Sequence, residues 1–238
     1  MRPDDRQSAE VGQARSQEEF LSWMLSHSAA GICVDNDSGL AHDGANTTGA
    51  EFGNLPEVLR FMELTLEQWF AELDEHQGAI PLEILIRDLP RVRMDFEAVG
   101  KFAQFSPERY RRNRMHSGPG YDALVLCWRA GQVSPIHDHR GSACAVRVIR
   151  GKATETLYEM TEEGRVFATI TRQLTEGYMC ASQDLDIHQL GNAQPSGDLI
   201  TLHIYSPPLL KMGQYSLDDS QPREFEDVIY ELTEGAGI

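Results

Sequence analysis

Long apolar runs are missing from this sequence. No stretch approaches the roughly 18 residues that a membrane-spanning helix requires, and the opening MRPDDRQSAE lacks the apolar segment of a secretion signal. A cytoplasmic location without a membrane partner is therefore expected. Basic residues are also scarce: 21 Lys and Arg stand against 37 Asp and Glu, a formal net charge of −16. A nucleic-acid binder needs a basic stripe to neutralise phosphates, so that class is excluded, and the acidic surface speaks for solubility more than for any partner. Cysteine is rare as well. Cys33, Cys127, Cys144 and Cys180 form no CxxC pair, which argues against a disulfide scaffold and for a reducing compartment. No internal repeat is present. What the 238 residues do contain, 41% hydrophobic and 24% charged, suffices for a core in one domain, or in one domain plus a small addition.

Residues 1 to about 15 and 31 to 50 are rich in Gly, Ser, Asn, Asp and Ala and read as mobile or loop-like. Between them, Ser16-Gln-Glu-Glu19 resembles a capping box ahead of Phe20, Trp23, Met24 and Leu25 on one helical face. A second helix is expected near residues 65–76, started by Thr65 or Leu64, with Leu66, Trp69, Phe70 and Leu73 at three- and four-residue spacing. Short helical pieces are expected to continue to about residue 105. From about residue 120 the period changes. LVLCW (124–128), ACAVRVIRG (143–151), VFATITRQL (166–174) and LITLHIYS (199–206) carry strand-forming branched residues between turns. Several short strands without alternating helices predict a mainly β protein, an antiparallel barrel or sandwich preceded by an N-terminal helical layer. The expected organisation is a partly mobile extension over residues 1–60 and a single domain, with its N-terminal helices, over 61–238.

The chemistry begins at Ile136-His137-Asp138-His139. On an extended segment side chains alternate, so His137 and His139 face one way and Asp138 the other. Two converging imidazoles are a metal-ligand geometry, although two half-exposed strand histidines give the same pattern. Imidazole ligation suits zinc, copper, nickel or iron, so the pattern alone does not choose the metal. Further on, Thr201, His203 and Tyr205 alternate with Leu202 and Ile204, which makes one polar and one apolar face. A solvent-facing polar strand would look the same; if the polar face points inward, it needs a site to serve. Trp128, following Cys127, reads as ordinary strand core, the alternative being a ring packed behind a metal histidine.

The spacing from Gly131 through His137, His139 and Cys144 to Gly151 resembles the first cupin motif, and His188 with Asn192 resembles the second, adding a third imidazole. Where that pattern usually carries a glutamate ligand, this chain has Cys144. The run His137-Asp-His139-Arg-Gly-Ser-Ala-Cys144, then Gly151-Lys-Ala-Thr-Glu-Thr-Leu-Tyr158, then Leu202-His203-Ile204-Tyr205-Ser206-Pro207-Pro208 resembles the cysteine dioxygenases over roughly residues 108–215.

That resemblance implies a cupin-type, jelly-roll-like antiparallel β-barrel holding Fe(II), and addition of both atoms of O2 to the sulfur of L-cysteine. The ligands implied are His137, His139 and His188. Cys144 and Tyr205 occupy the positions that form a thioether crosslink in the family, and His203 would hold the tyrosine hydroxyl, with Thr201 where a serine is often found. Tyr110-Arg111-Arg112-Asn113 resembles the family's Tyr-x-Arg-Asn run, which implies Arg112, assisted by Tyr110, as the clamp for a substrate carboxylate. Related mercaptopropionate dioxygenases usually carry glutamine there and lack the crosslinking cysteine, so L-cysteine is the implied thiol. Ser206-Pro207 is an expected cis bond. The implied setting is cysteine catabolism and taurine and sulfur metabolism, with a small thiol and O2 as the only partners and the chain a monomer. A dioxygenase for 3-mercaptopropionate or cysteamine, and a non-catalytic metal-binding cupin, are the alternatives.

Overall fold

The computed structural model describes residues 63–183 and 187–231, together with the backbone of three earlier strands, β1 (Ile32–Asp35), β2 (Leu40–Asp43) and β3 (Asn46–Glu51). The helix expected around Ser16–Leu25 lies outside the described residues.

Helix α1 (Leu66–Asp74) starts where the sequence places it. Thr65 closes a capping box: its hydroxyl accepts the Gln68 amide at 3.2 Å while the Gln68 side chain accepts the Thr65 amide at 2.9 Å. Its buried stripe is Leu66, Trp69, Phe70 and Leu73, the spacing of a helix packed on one face. The short helical pieces follow as α2 (Leu82–Asp88), a 3-10 turn at Leu89–Arg91, and α3 (Phe96–Val99), whose first turn is capped by Asp95 accepting the Ala98 amide at 3.0 Å.

Twelve strands follow: β4 (Arg111–Gly118), β5 (Tyr121–Trp128), β6 (Ile136–His137), β7 (Ala143–Arg150), β8 (Ala153–Met160), β9 (Val166–Leu174), β10 (Met179–Gln183), β11 (Ile187–Gly191), β12 (Leu199–Ser206), β13 (Met212–Tyr215), β14 (Arg223–Phe225) and β15 (Ile229–Tyr230). They make two sheets, one ordered β15-β4-β5-β12-β7-β10-β1-β2-β3 and the other β14-β13-β6-β11-β8-β9. Pairing is antiparallel except for β15, which lies parallel to β4. The fold is mainly β and of the cupin type, with a small helical part on the N-terminal side.

One expectation is corrected. Residues 31–50, read as loop-like from their composition, contain β1, β2 and much of β3, and β1 pairs with β10 in the register Ile32 with Ala181 and Val34 with Met179. The free edge of β10 offers unpaired backbone donors and acceptors, and main-chain pairing satisfies them whatever the side chains are.

The central strands β5 and β12 are buried along their whole length and β7 over most of its own, which divides the core. Tyr121, Ala123, Val125, Ala145, Ile200, Leu202 and Ile204 face Trp69, Leu73, Leu85 and Val99 of the helices. Leu124, Leu126, Trp128, Cys144, Val148 and Tyr205 face Leu190 and Met212 of the second sheet. Small residues at Ala143 and Ala145 let the helices approach the sheet. Each large apolar side chain buried this way contributes about 1.5–3 kcal/mol. The apolar face of β12 therefore packs outward on the helices, and its Thr201–His203–Tyr205 face points between the sheets.

Candidate metal centre and thiol pocket

Strands β6 and β11 pair so that His188 lies opposite His137. His139 follows two residues after His137. One nitrogen from each of His137, His139 and His188 lies within 4.8 Å of the other two, and all three residues are buried. The turn after His139 is tight: Arg140 and Gly141 both have positive φ, 48° and 90°, and the Ser142 amide donates to the His139 carbonyl at 3.0 Å. That turn feeds directly into β7.

Asp138 points the other way, as alternation requires. It accepts the Gly213 amide at 2.8 Å and the Tyr215 hydroxyl at 2.7 Å, pinning the histidine segment to β13. A Cβ at Gly213 would stand 2.5 Å from an Asp138 carboxylate oxygen, so that approach needs glycine.

Each imidazole must present one nitrogen and secure the other. His137 Nδ1 contacts the Pro135 carbonyl at 3.0 Å, an acceptor, so Nδ1 carries the proton and Nε2 keeps its lone pair. His188 Nδ1 lies 2.9 Å from Glu155 of β8, whose other oxygen receives two bonds of 2.7 Å from Arg172 of β9. Burial pushes the Glu155 carboxyl up, but His188 and Arg172 outweigh it and hold the group below the usual carboxylate range. An ionised carboxylate only accepts, so His188 carries its proton on Nδ1. Its Nε2 is then a buried lone pair, and it has no hydrogen-bond partner. Burial, reinforced by the neighbouring histidines, lowers His137 to about 3 and His139 well below the ordinary range. Neutral imidazoles around an orphaned buried nitrogen are a donor set that a divalent cation fits.

A pocket of about 320 Å³, open mouth included, lies beside this cluster. Arg112, His137, His188, His203, Tyr205 and Trp128 are among its lining residues. Arg112 on β4 is 2% exposed. Its Nη2 donates to the Leu209 carbonyl at 3.3 Å, its Nη1 is buried without a partner, and among the described residues no carboxylate pairs with it. A desolvated guanidinium left with unfilled donors is expensive unless an anion completes it.

On β12, Tyr205 Oη lies 3.0 Å from His203 Nδ1, and His203 Nε2 lies 2.9 Å from Thr201 Oγ1. Thr201 also accepts the Trp128 indole N–H at 3.2 Å. The indole can only donate. A pattern that satisfies every group then runs from Trp128 to Thr201 to His203 to the Tyr205 oxygen, which leaves the phenol proton on the side of Cys144, with which Tyr205 shares a side-chain hydrogen bond. Burial lowers His203 to about 3, with Arg112 adding to the effect, so this imidazole is neutral. Burial also pushes the Tyr205 phenol and the Cys144 thiol upward. Cys144 on β7 is the direct cross-strand partner of Tyr205 on β12.

The histidines, Arg112, His203, Tyr205 and Cys144 singled out in the sequence thus come together. Tyr110 lines the cavity too: its ring stacks on Trp128, with centroids 4.2 Å apart, and its hydroxyl donates to Asp227. Ser206-Pro207 is cis. Sequence reasoning missed Glu155 and Asp227; Trp128 is buried core, as read, and lines the cavity as well. For Glu155 a signal exists: it shares the inward phase of β8 with Ala153, where a carboxylate has no place without a partner.

Fold and centre together define a cupin-type barrel whose three histidines fit a metal site. The family model for cysteine dioxygenase type I matches residues 84–218. The cysteine dioxygenase type 1 of Danio rerio is 33% identical over 158 residues, 64% of this chain and 76% of the relative. That of Rattus norvegicus is 32% identical over 112 residues, 45% of this chain and 56% of its own length. The chain belongs to the cysteine dioxygenase type I family. Among solved structures, an uncharacterized conserved protein with a double-stranded β-helix domain from Klebsiella pneumoniae aligns at TM-score 0.39 and 18% identity, covering 50% of this chain and 94% of that one. The kinship supports thiol dioxygenase activity on a small thiol and O2. Among the described residues, no helix is long and apolar enough to cross a membrane.

Proposed function

We propose that this protein is an Fe(II)-dependent cysteine dioxygenase, which inserts both atoms of O2 into the S–H group of L-cysteine to give cysteine sulfinic acid. The observation that carries the reading is Arg112: a buried guanidinium with unfilled donors, lining the same cavity as His137 and His188. A free amino-acid carboxylate supplies what it lacks through two parallel charge-assisted bonds.

Iron held by His137, His139 and His188 would supply the redox centre and the positive charge that keeps the substrate sulfur as thiolate. The chain's own groups do the rest. Arg112 fixes the carboxylate and so sets where the sulfur sits relative to the histidine cluster. The Tyr205 hydroxyl, held by His203, offers a proton or hydrogen bond at a fixed point of the cavity. The indole and ring walls of Trp128 and Tyr110 keep water away from that point. Cys144, facing Tyr205 across the strand pair, is placed for a thioether, in which a C–S bond replaces S–H and an ortho C–H and the two hydrogens leave to O2.

The proposal extends to a cytoplasmic monomer acting in cysteine catabolism, with residues 61–238 as the catalytic unit; the scarce cysteines, without a CxxC pair, support the reducing compartment. The test is oxygen uptake by Fe(II)-loaded protein with L-cysteine, 3-mercaptopropionate and cysteamine in separate runs. Preference for L-cysteine is expected. Preference for cysteamine, which has no carboxylate, would overturn the role given to Arg112, and no uptake with iron bound would overturn the enzymatic reading.

A further inference from the structure

The last described segment of the chain lies beyond residue 218, where the family match ends, yet it is built into the wall that carries Arg112. Strand β15 covers the outer edge of β4 in parallel, with Ile229 in register with Arg112 and Tyr230 with Asn113. Side chains repeat the attachment. The Arg111 guanidinium sits 4.0 Å over the Tyr230 ring, and Arg114 Nε donates to Glu231 at 2.7 Å. Just before β15, Asp227 accepts the Tyr110 hydroxyl on one carboxylate oxygen and the Arg109 guanidinium on the other. The Val228 amide adds a third bond, of 2.8 Å, to the oxygen that Arg109 uses. The Asp227 side chain is only 2% exposed.

A carboxylate this buried is held by its donors, and it holds them in return. Tyr110 is the consequential one. With its hydroxyl committed to Asp227, its ring is fixed in orientation and stacks on Trp128 at an interplanar angle of 12°. Trp128 in turn donates to Thr201, which contacts His203. The same segment therefore grips the Arg112 strand from outside and one wall of the cavity from within.

We propose that residues 226–231 form a strap that positions the carboxylate-binding side of the cavity, with Asp227 as its positioning residue acting through Tyr110. Asp227 itself does not line the cavity and is not assigned any contact with substrate. The inference rests on the reading of Arg112 as a carboxylate clamp.

The experiment compares Asp227→Ala, the near-isosteric Asp227→Asn, Tyr110→Phe and the double variant Tyr110→Phe/Asp227→Ala, all Fe(II)-loaded. Asp227→Ala should raise the KM for L-cysteine about tenfold, with kcat changed less than about twofold and iron content kept, the size of effect expected for losing one hydrogen bond to a charged group. Asp227→Asn should raise it less. Adding Asp227→Ala to Tyr110→Phe should cost little further, because both changes break one contact. Cysteamine, having no carboxylate, should respond weakly. Additive losses, or equal effects on both thiols, would overturn the proposal and leave Asp227 as a general stabiliser. Hydrogen exchange gives a readout independent of turnover: Asp227→Ala should speed exchange both at 226–231 and at 110–114. Unchanged exchange at 110–114 would overturn the strap even if the enzyme proves inactive on carboxylate thiols, an outcome that by itself would instead strike at the clamp.

Discussion

Glu155 and His188 lie on adjacent strands, yet they are not register partners: His188 pairs with Leu157, and Glu155 reaches it from two residues along, at 2.9 Å. The diagonal works because both residues lie on the inward phase of their strands and because Arg172 holds the far oxygen of the carboxylate. The proton on Nδ1 then fixes which nitrogen of His188 faces the cluster.

Loss of that orientation should appear as loss of metal. Glu155→Gln is expected to weaken iron binding about 10- to 100-fold, the usual range for a partner that orients a ligating histidine. Iron content after dialysis against a graded chelator measures it. Retention equal to that of the unmodified protein would mean that Glu155 serves Arg172 rather than His188.

Arg112→Ala should raise the KM for L-cysteine about 30-fold or more, the cost of truncating one side of a buried charge pair being at least about 2 kcal/mol. Iron content should not change. Arg112→Lys is expected to recover only part of the loss, since an ammonium does not match a carboxylate with two parallel bonds. Unaltered kinetics in Arg112→Ala would place the carboxylate elsewhere.

The Cys144 and Tyr205 pair predicts a product of the protein's own oxidation. After turnover, denaturing gels should resolve a faster-migrating form whose mass is lower by two hydrogens. Cys144→Ala and Tyr205→Phe should each abolish it. Persistence of that band in Cys144→Ala would assign the shift to another modification.

His203 sets a pH dependence of stability. Its folded value, near 3, lies below the ordinary 6.5 of an exposed histidine, so between these the unfolded chain binds the extra proton. The stability is then complete above about pH 6.5 and is lost as the pH falls toward 3. For one such group, going from pH 7 to pH 5 removes about 2 kcal/mol. Urea unfolding at the two pH values, compared with His203→Gln, checks it, and the variant should lose that share of the difference.

Much of this site is written locally. The His137-Asp138-His139 spacing and the alternation Thr201, Leu202, His203, Ile204, Tyr205 are properties of single strands, and a strand's two faces follow from its period. What decides which face turns inward is packing: β12 sends its apolar side to Trp69 and Leu85 in the helices, so the polar side is left for the cavity. Glu155 and Asp227 were not legible for a related reason. Each is an ordinary surface-type acid until strand register sets it against His188 or Tyr110, 33 and 117 residues away in the chain. β1, β2 and β3 escaped notice because the edge they extend, not their composition, selects them.

The most direct test of the account is the fate of oxygen. Fe(II)-loaded protein supplied with L-cysteine under isotopically labelled O2 should yield cysteine sulfinate in which both oxygens carry the label, most of them from one O2 molecule. Cystine with peroxide as the main product, or sulfinate with oxygen drawn from water, would contradict the dioxygenase reading of the three-histidine centre.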